Sequence, residues 1–96
     1  MPNPDTPTPE AVAELFAHMR IDDQGPRECI AFLAEELGEL AKAVRTGELP
    51  AIAEEIGDVG ILLHRIALLH GIDVDEAVRA KADLRRARYD AERAGG

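Results

Sequence analysis

Two similar segments lie near the middle of the chain: Leu-Ala-Glu-Glu-Leu-Gly-Glu-Leu at residues 33–40 and Ile-Ala-Glu-Glu-Ile-Gly-Asp-Val at residues 52–59. A shift of 19 positions matches every residue of one segment in kind with the other. Apolar residues recur at intervals of three and four, which is the spacing of one face of an α-helix. The two predicted core stripes are Leu33, Leu37, Leu40 and Val44 on one helix, and Ile52, Ile56, Val59 and Leu63 on the next.

Prolines, glycines and capping residues around this duplication predict four helices. No segment shows the alternation of apolar and polar residues that is typical of a β-strand. The first helix is short, begins with a capping hydroxyl at Thr8 and ends at the break of residues 21–25. The fold class is therefore all-α, a compact bundle of one short and three longer helices. The longer ones are predicted from Pro26 to Arg45, from Pro50 to about His70, and from the Asp73–Glu76 capping box to about Arg93.

A length of 96 residues allows one domain. We expect a flexible leader over residues 1–7, a single helical domain over 8–93 and a loose C-terminus over 94–96. The single cysteine, Cys29, excludes an intrachain disulfide and fits a reducing, cytoplasmic location, and no signal peptide or membrane-spanning run is evident. Because so short a chain buries a modest core, we also expect a second copy as partner.

The net charge of −8 argues against binding to a nucleic-acid backbone, which requires a basic surface. The charge is unevenly distributed: residues 1–78 carry five basic and sixteen acidic side chains, whereas residues 79–96 carry six basic and three acidic ones. An acidic body with a basic last helix fits simple solvation. It also fits carboxylates that hold a cation beside a basic segment that contacts a small anion.

Four carboxylates flank the two stripes in matching positions: Glu36 and Glu39 on one helix, Glu55 and Asp58 on the other. A short turn makes these helices antiparallel neighbours, so the two pairs are predicted to converge. Converging carboxylates repel one another unless some are protonated or a cation lies among them. Mg²⁺ and Mn²⁺ take oxygen ligands of this kind, and a solvated acidic helix face is the alternative.

Three glycines, Gly38, Gly57 and Gly60, lie inside the predicted helices. Each costs roughly 1 kcal/mol relative to alanine in a helix interior. Close approach of a second helix or of a ligand to the backbone would offset that cost.

The run Glu35-Glu36-x-x-Glu39, fifteen further residues and then Glu55-x-x-Asp58-Val59 resembles the signature of MazG-like nucleoside triphosphate pyrophosphohydrolases. That family belongs to the all-α NTP pyrophosphatase superfamily, and the resemblance extends from about Phe32 to Arg88. It implies Mg²⁺-dependent hydrolysis of nucleoside triphosphates, including non-canonical ones, to a monophosphate and pyrophosphate. The hypothesis is an enzyme that acts as a homodimer or homotetramer, with an active site completed by dimerisation.

The resemblance also implies residue roles. Glu36, Glu39, Glu55 and Asp58 would hold Mg²⁺, and Glu35 would orient or deprotonate the attacking water. Lys81 and Arg88 match basic positions of the family and would contact phosphates. Arg85 shares their helix face but stands where many members carry asparagine.

Two other functions remain open from the sequence: a phosphoribosyl-ATP pyrophosphohydrolase of the same superfamily, and a non-catalytic helical interaction module. Cys29 is predicted to be a small buried residue, and Phe16 and Phe32 are predicted to lie in the core. Phe32 also lies on the carboxylate side of its helix, so contact with a nucleobase is its alternative role.

Overall fold

Four α-helices follow one another in the computed structural model, which describes residues 3–95. They are α1 (Thr8–His18), α2 (Pro26–Thr46), α3 (Leu49–Leu69) and α4 (Val74–Gly95). The described residues contain no strand, so the all-α class is confirmed. None of these helices is both long enough and apolar enough to cross a membrane.

The helix ends lie close to the predicted start and stop residues, although one predicted cap is wrong. Gly47 ends α2 in the left-handed conformation at φ 75°, which glycine adopts without steric cost. Asp73 accepts a hydrogen bond from the Glu76 backbone N–H at 2.9 Å, and so caps α4. The predicted Thr8 cap is wrong: Thr8 is itself the first helical residue, and the preceding Pro7 makes no side-chain cap.

Within the described residues, regular backbone structure extends into both predicted end segments. In the predicted leader, the Thr6 N–H donates to the Asn3 carbonyl at 3.0 Å, so residues 3–6 form a turn before α1. Ala94 and Gly95, which were expected in the loose C-terminus, continue α4. Residues 1, 2 and 96 lie outside the described residues.

The helices α2 and α3 form an antiparallel hairpin, the most extensive helix pair of the structure. Helix α1 packs on α3, and α4 contacts α3 and no other helix within residues 3–95. Since α4 therefore projects from the hairpin, the radius of gyration is 16.5 Å, against about 13 Å for a compact domain of this size. A single chain thus leaves one helix almost unpacked.

A small core lies between α1 and the hairpin. Val12 and Phe16 of α1 pack with Cys29 of α2, which is fully buried, and with apolar residues of α3. Burial raises the pKa of the Cys29 thiol, so the side chain stays neutral and behaves as the predicted small apolar residue. The buried hydrophobic residues are Val12, Phe16, Cys29, Ala43 and Ala67.

Arg65 of α3 contacts both the α1–α2 connection and α1. Its Nη2 donates to the Asp22 carbonyl at 2.7 Å, and its guanidinium lies 4.7 Å from the centre of the Phe16 ring. The side chain is 91% buried, so both contacts are made away from bulk water, where they are stronger. Arg65 therefore holds α1 against the same hairpin that carries the predicted site.

Half of each predicted core stripe is exposed, contrary to our expectation. Leu33, Leu40, Ile52 and Val59 are half-buried as predicted. The side chains of Leu37, Val44, Ile56 and Leu63 are 43–56% exposed, because no second layer of helices covers that side of the hairpin within the described chain. A Cβ atom built on Gly38, Gly57 or Gly60 has no neighbour within 4 Å, so nothing in this chain approaches these glycines closely.

Candidate metal centre

Three carboxylates from α2 and α3 meet on one side of the hairpin. One oxygen each of Glu36, Glu55 and Asp58 lies within 4.8 Å of the other two. The antiparallel packing of two similar helices brings them together, and the spacing from Glu55 to Asp58 places both on one face of α3. The side chains are half-buried, so the cluster lies at the edge of the hairpin and is open to small molecules.

The electrostatics of the cluster are unfavourable for three free carboxylates. The pKa of Glu55 is raised above its ordinary value, first by desolvation, then by a hydrogen bond to Glu36 and by the negative charges of Glu36, Asp58 and Glu39. The Glu55 Oε2 atom is buried and has no hydrogen-bond partner among the described residues. A buried acceptor without a donor, within a group of like charges, is a site where a cation lowers the energy.

This donor set fits a hard divalent cation. Mg²⁺ binds carboxylate oxygens at about 2.1 Å, so two ligands of one ion lie about 3–4 Å apart. The observed separation of 4.8 Å or less needs only small side-chain rotations to reach that geometry. The set contains no sulfur or nitrogen ligand, which favours Mg²⁺ or Mn²⁺ over softer metals.

Glu39 lies beside the cluster on the side of the α2–α3 turn. It lines an open pocket of about 200 Å³ together with Glu55, and its charge contributes to the raised pKa of Glu55. Lys42 lines the same pocket, one turn further along α2. Lys42 was not among the predicted site residues, although its position three residues after Glu39 on α2 was an available signal.

The other predicted site residues do not join the carboxylates within one chain. Glu35 is exposed on α2 and is not among the three clustered residues. Lys81, Arg85 and Arg88 are exposed on α4, and α4 begins at the far end of α3 from Glu55. Lys81 instead lies at the rim of an apolar groove between the end of α3 and the start of α4.

The raised pKa of Glu55 predicts the pH dependence of stability in the metal-free protein. Between the ordinary value near 4.5 and the raised value, the folded state binds more protons than the unfolded state. The contribution of this carboxyl to the free energy of unfolding is therefore largest below pH 4.5 and is lost as the pH rises through the raised pKa. We expect the melting temperature of the wild type to fall relative to that of Glu55→Gln over this range, measured with a chelator.

The Glu55→Gln variant is the reference because it lacks only the Glu55 carboxyl. All other carboxylates titrate in both proteins, so their contributions to the difference in melting temperature cancel. A difference in melting temperature that does not change with pH would contradict this prediction. Added Mg²⁺ should reverse the difference near neutral pH, since the ion favours the ionised cluster of the wild type.

Comparison with known proteins adds two findings. Residues 24–88 match the family model described as the MazG nucleotide pyrophosphohydrolase domain, a span that contains all the clustered carboxylates. The chain is also 42% identical over 86 residues to a dATP/dGTP diphosphohydrolase of Cyanophage S-2L, an alignment that covers 83% of this chain and 78% of the relative.

Proposed function

Because the chain belongs to the MazG family of nucleotide pyrophosphohydrolases, we propose that it hydrolyses purine deoxynucleoside triphosphates to monophosphates and pyrophosphate. The family match covers the whole α2–α3 hairpin, and the relative is named for its action on dATP and dGTP. The observation that carries the proposal is the carboxylate cluster with its unpartnered Glu55 oxygen.

In this proposal Glu36, Glu39, Glu55 and Asp58 hold Mg²⁺, with Mn²⁺ as a substitute. When bound, the ion would supply positive charge to neutralise the triphosphate and the charge that develops on the leaving pyrophosphate. The four carboxylates orient it on the hairpin and exclude softer metals by their oxygen-only chemistry. This arrangement also accounts for an acidic protein that binds a polyanion, since a cation lies between the two.

The chain's own residues supply the proton acceptor and the phosphate contact. Water attacks the α-phosphorus, the bond from that phosphorus to the bridging oxygen breaks, and pyrophosphate leaves. Glu35 accepts a proton from the water as the new bond forms. Its exposure on α2 next to Glu36 leaves the side chain free to turn toward the site. Lys42 contacts the leaving phosphates from the pocket that it shares with Glu39.

We further propose that the working unit is a homodimer built on the exposed side of the hairpin. Large apolar residues recur there at every seventh position, and each is between 43% and 76% exposed. Two antiparallel helices with exposed heptad stripes are half of a four-helix bundle. The residues are Ile30, Leu37 and Val44 on α2, and Leu49, Ile56 and Leu63 on α3.

The glycines and α4 support the same assembly. Gly38 and Gly57 leave open space beside the heptad stripes, so the helices of a second copy can approach the backbone there. Helix α4, which is almost unpacked in one chain, would then bring the basic residues of one copy to the acidic site of the other. Lys81, Arg85 and Arg88 would contact the triphosphate in this way.

A substrate screen tests the proposed function. We expect Mg²⁺-dependent release of pyrophosphate from dATP and dGTP, and slower release from dCTP and dTTP. The screen includes deoxyuridine and oxidised purine triphosphates and phosphoribosyl-ATP, because the carboxylates alone do not select a base. Equal turnover of purine and pyrimidine substrates would contradict the purine proposal. Turnover that persists in a chelator would contradict the metal site.

A further inference from the structure

Phe32 lies on α2 between the buried core and the carboxylate cluster. At about 100° per residue, Cys29, Phe32 and Glu36 follow one another along a single face of α2, separated by three and four residues. Cys29 is fully buried beneath α1, and Glu36 belongs to the cluster. The phenyl ring between them remains 43% exposed, so the prediction that it lies in the core is wrong.

Helix α1 packs over the Cys29 end of this face of α2. Val12 and Phe16 cover Cys29 together with Leu62 of α3, and Leu62 lies one turn beyond Asp58 on that helix. Arg65 holds α1 in place through the Asp22 carbonyl. An exposed aromatic residue therefore lies on α2 between a buried apolar cluster and the carboxylates.

Neither packing in the core nor contact across the proposed dimer accounts for an exposed aromatic residue at position 32. Phe32 lies about 140° around α2 from Leu37, which is on the heptad stripe, but about 40° from Glu36. The other two aromatic residues are accounted for, because Phe16 is buried and the Tyr89 ring lies 5.6 Å from the Arg93 guanidinium. An exposed aromatic face beside a nucleotide site is a surface for base stacking.

We propose that Phe32 is the platform on which the purine base of the substrate stacks. This proposal rests on the function proposed above and fixes the direction of the nucleotide along the hairpin. The phosphates lie at Glu36, Asp58 and the Lys42 pocket, and the base lies toward α1. One helical turn, about 6 Å, separates Phe32 from Glu36, a gap that the sugar bridges between α-phosphate and base. Purines stack better than pyrimidines here because their rings cover more of the phenyl face.

The first experiment uses Phe32→Trp as a reporter. The sequence contains no tryptophan, so the new indole is the only one in the protein. The probes are dGMP, at concentrations that inhibit the wild type, and deoxyribose 5-phosphate, which lacks the base, both with Mg²⁺. We expect dGMP to quench the indole emission with saturation and the sugar phosphate to leave it unchanged. The same response to both probes, or none to dGMP, would overturn the stacking proposal.

The second experiment separates stacking from folding. In Phe32→Leu, which keeps an apolar side chain, we expect kcat/KM for dGTP to fall about 10–100-fold, the range expected for one lost stacking contact. Phe32→Tyr should restore most of it, and the inhibition constant of inorganic tripolyphosphate should change less than about twofold. Tyr89→Ala is the matched control, since it removes an exposed ring from α4, and it should retain wild-type kcat/KM.

Two outcomes would refute different proposals. If the wild type hydrolyses dGTP and Phe32→Leu does so equally well, or if the variant weakens tripolyphosphate binding as much as dGTP turnover, the stacking proposal is wrong. If the wild type hydrolyses no purine triphosphate, the proposed substrate is wrong.

Discussion

Asp58→Asn and Glu36→Gln should each lower kcat/KM for dGTP by at least about 10³-fold while the helices remain folded. Each change removes a negative ligand from the cluster of three oxygens that lie within 4.8 Å of one another. A bound metal contributes several kcal/mol of transition-state stabilisation in reactions of this kind, and a missing ligand removes much of it. Pyrophosphate release and far-ultraviolet circular dichroism measure the two effects.

Glu54→Gln is the matched control because it removes the same charge from the neighbouring, exposed position on α3. It should retain activity within about threefold of the wild type. A second readout is thermal: Mg²⁺ should raise the melting temperature of the wild type and of Glu54→Gln, but not that of Asp58→Asn. Full turnover by both Asp58→Asn and Glu36→Gln would remove these residues from the metal site.

Ile56→Asp should convert the protein to a monomer and reduce activity at least about 100-fold. Ile56 is the middle residue of the α3 heptad stripe and is 56% exposed in a single chain. An aspartate there places two charges near the axis of a symmetric apolar interface, where each must be desolvated. Sedimentation velocity measures the assembly, and pyrophosphate release from the same samples measures the activity.

The control for this change is Ile72→Asp, which alters an isoleucine of similar exposure, 53%, outside both stripes. This variant should keep the wild-type assembly. A dimer that survives Ile56→Asp would place the interface elsewhere, and an active monomer would show that one chain contains the whole site.

The duplicated segment was sufficient to predict the hairpin and the cluster. Two helices with the same pattern of apolar and acidic residues, joined by a short turn, must place equivalent carboxylates at the same edge. The left-handed glycine Gly47 confirms the turn that this argument requires. Helix type and register follow from the local sequence, and three of the four carboxylates predicted to converge, Glu36, Glu55 and Asp58, do meet, whereas Glu39 lies beside them.

The sequence could not reveal which apolar residues one chain covers by itself. Periodicity places Leu33 and Leu37 on one narrow stripe toward the core, although Leu33 has intermediate burial and Leu37 is 50% exposed. Phe32 was assigned to the core for the same reason, and it is 43% exposed because α1 covers Cys29 of α2 and not the whole of that face. The position of α1 is set by long-range contacts such as Arg65 with Asp22, which are separated by 43 residues and leave no local signal.

Few side chains are buried within a single chain, and this has a practical consequence for the enzyme at low concentration. Since the core between α1 and the hairpin contains few buried residues, folding and assembly of the proposed homodimer would form one linked equilibrium governed by mass action. Specific activity would then fall on dilution, and a saturating nucleotide would protect the protein from that loss. The cell's supply of substrate would in this way also maintain the pool of active enzyme.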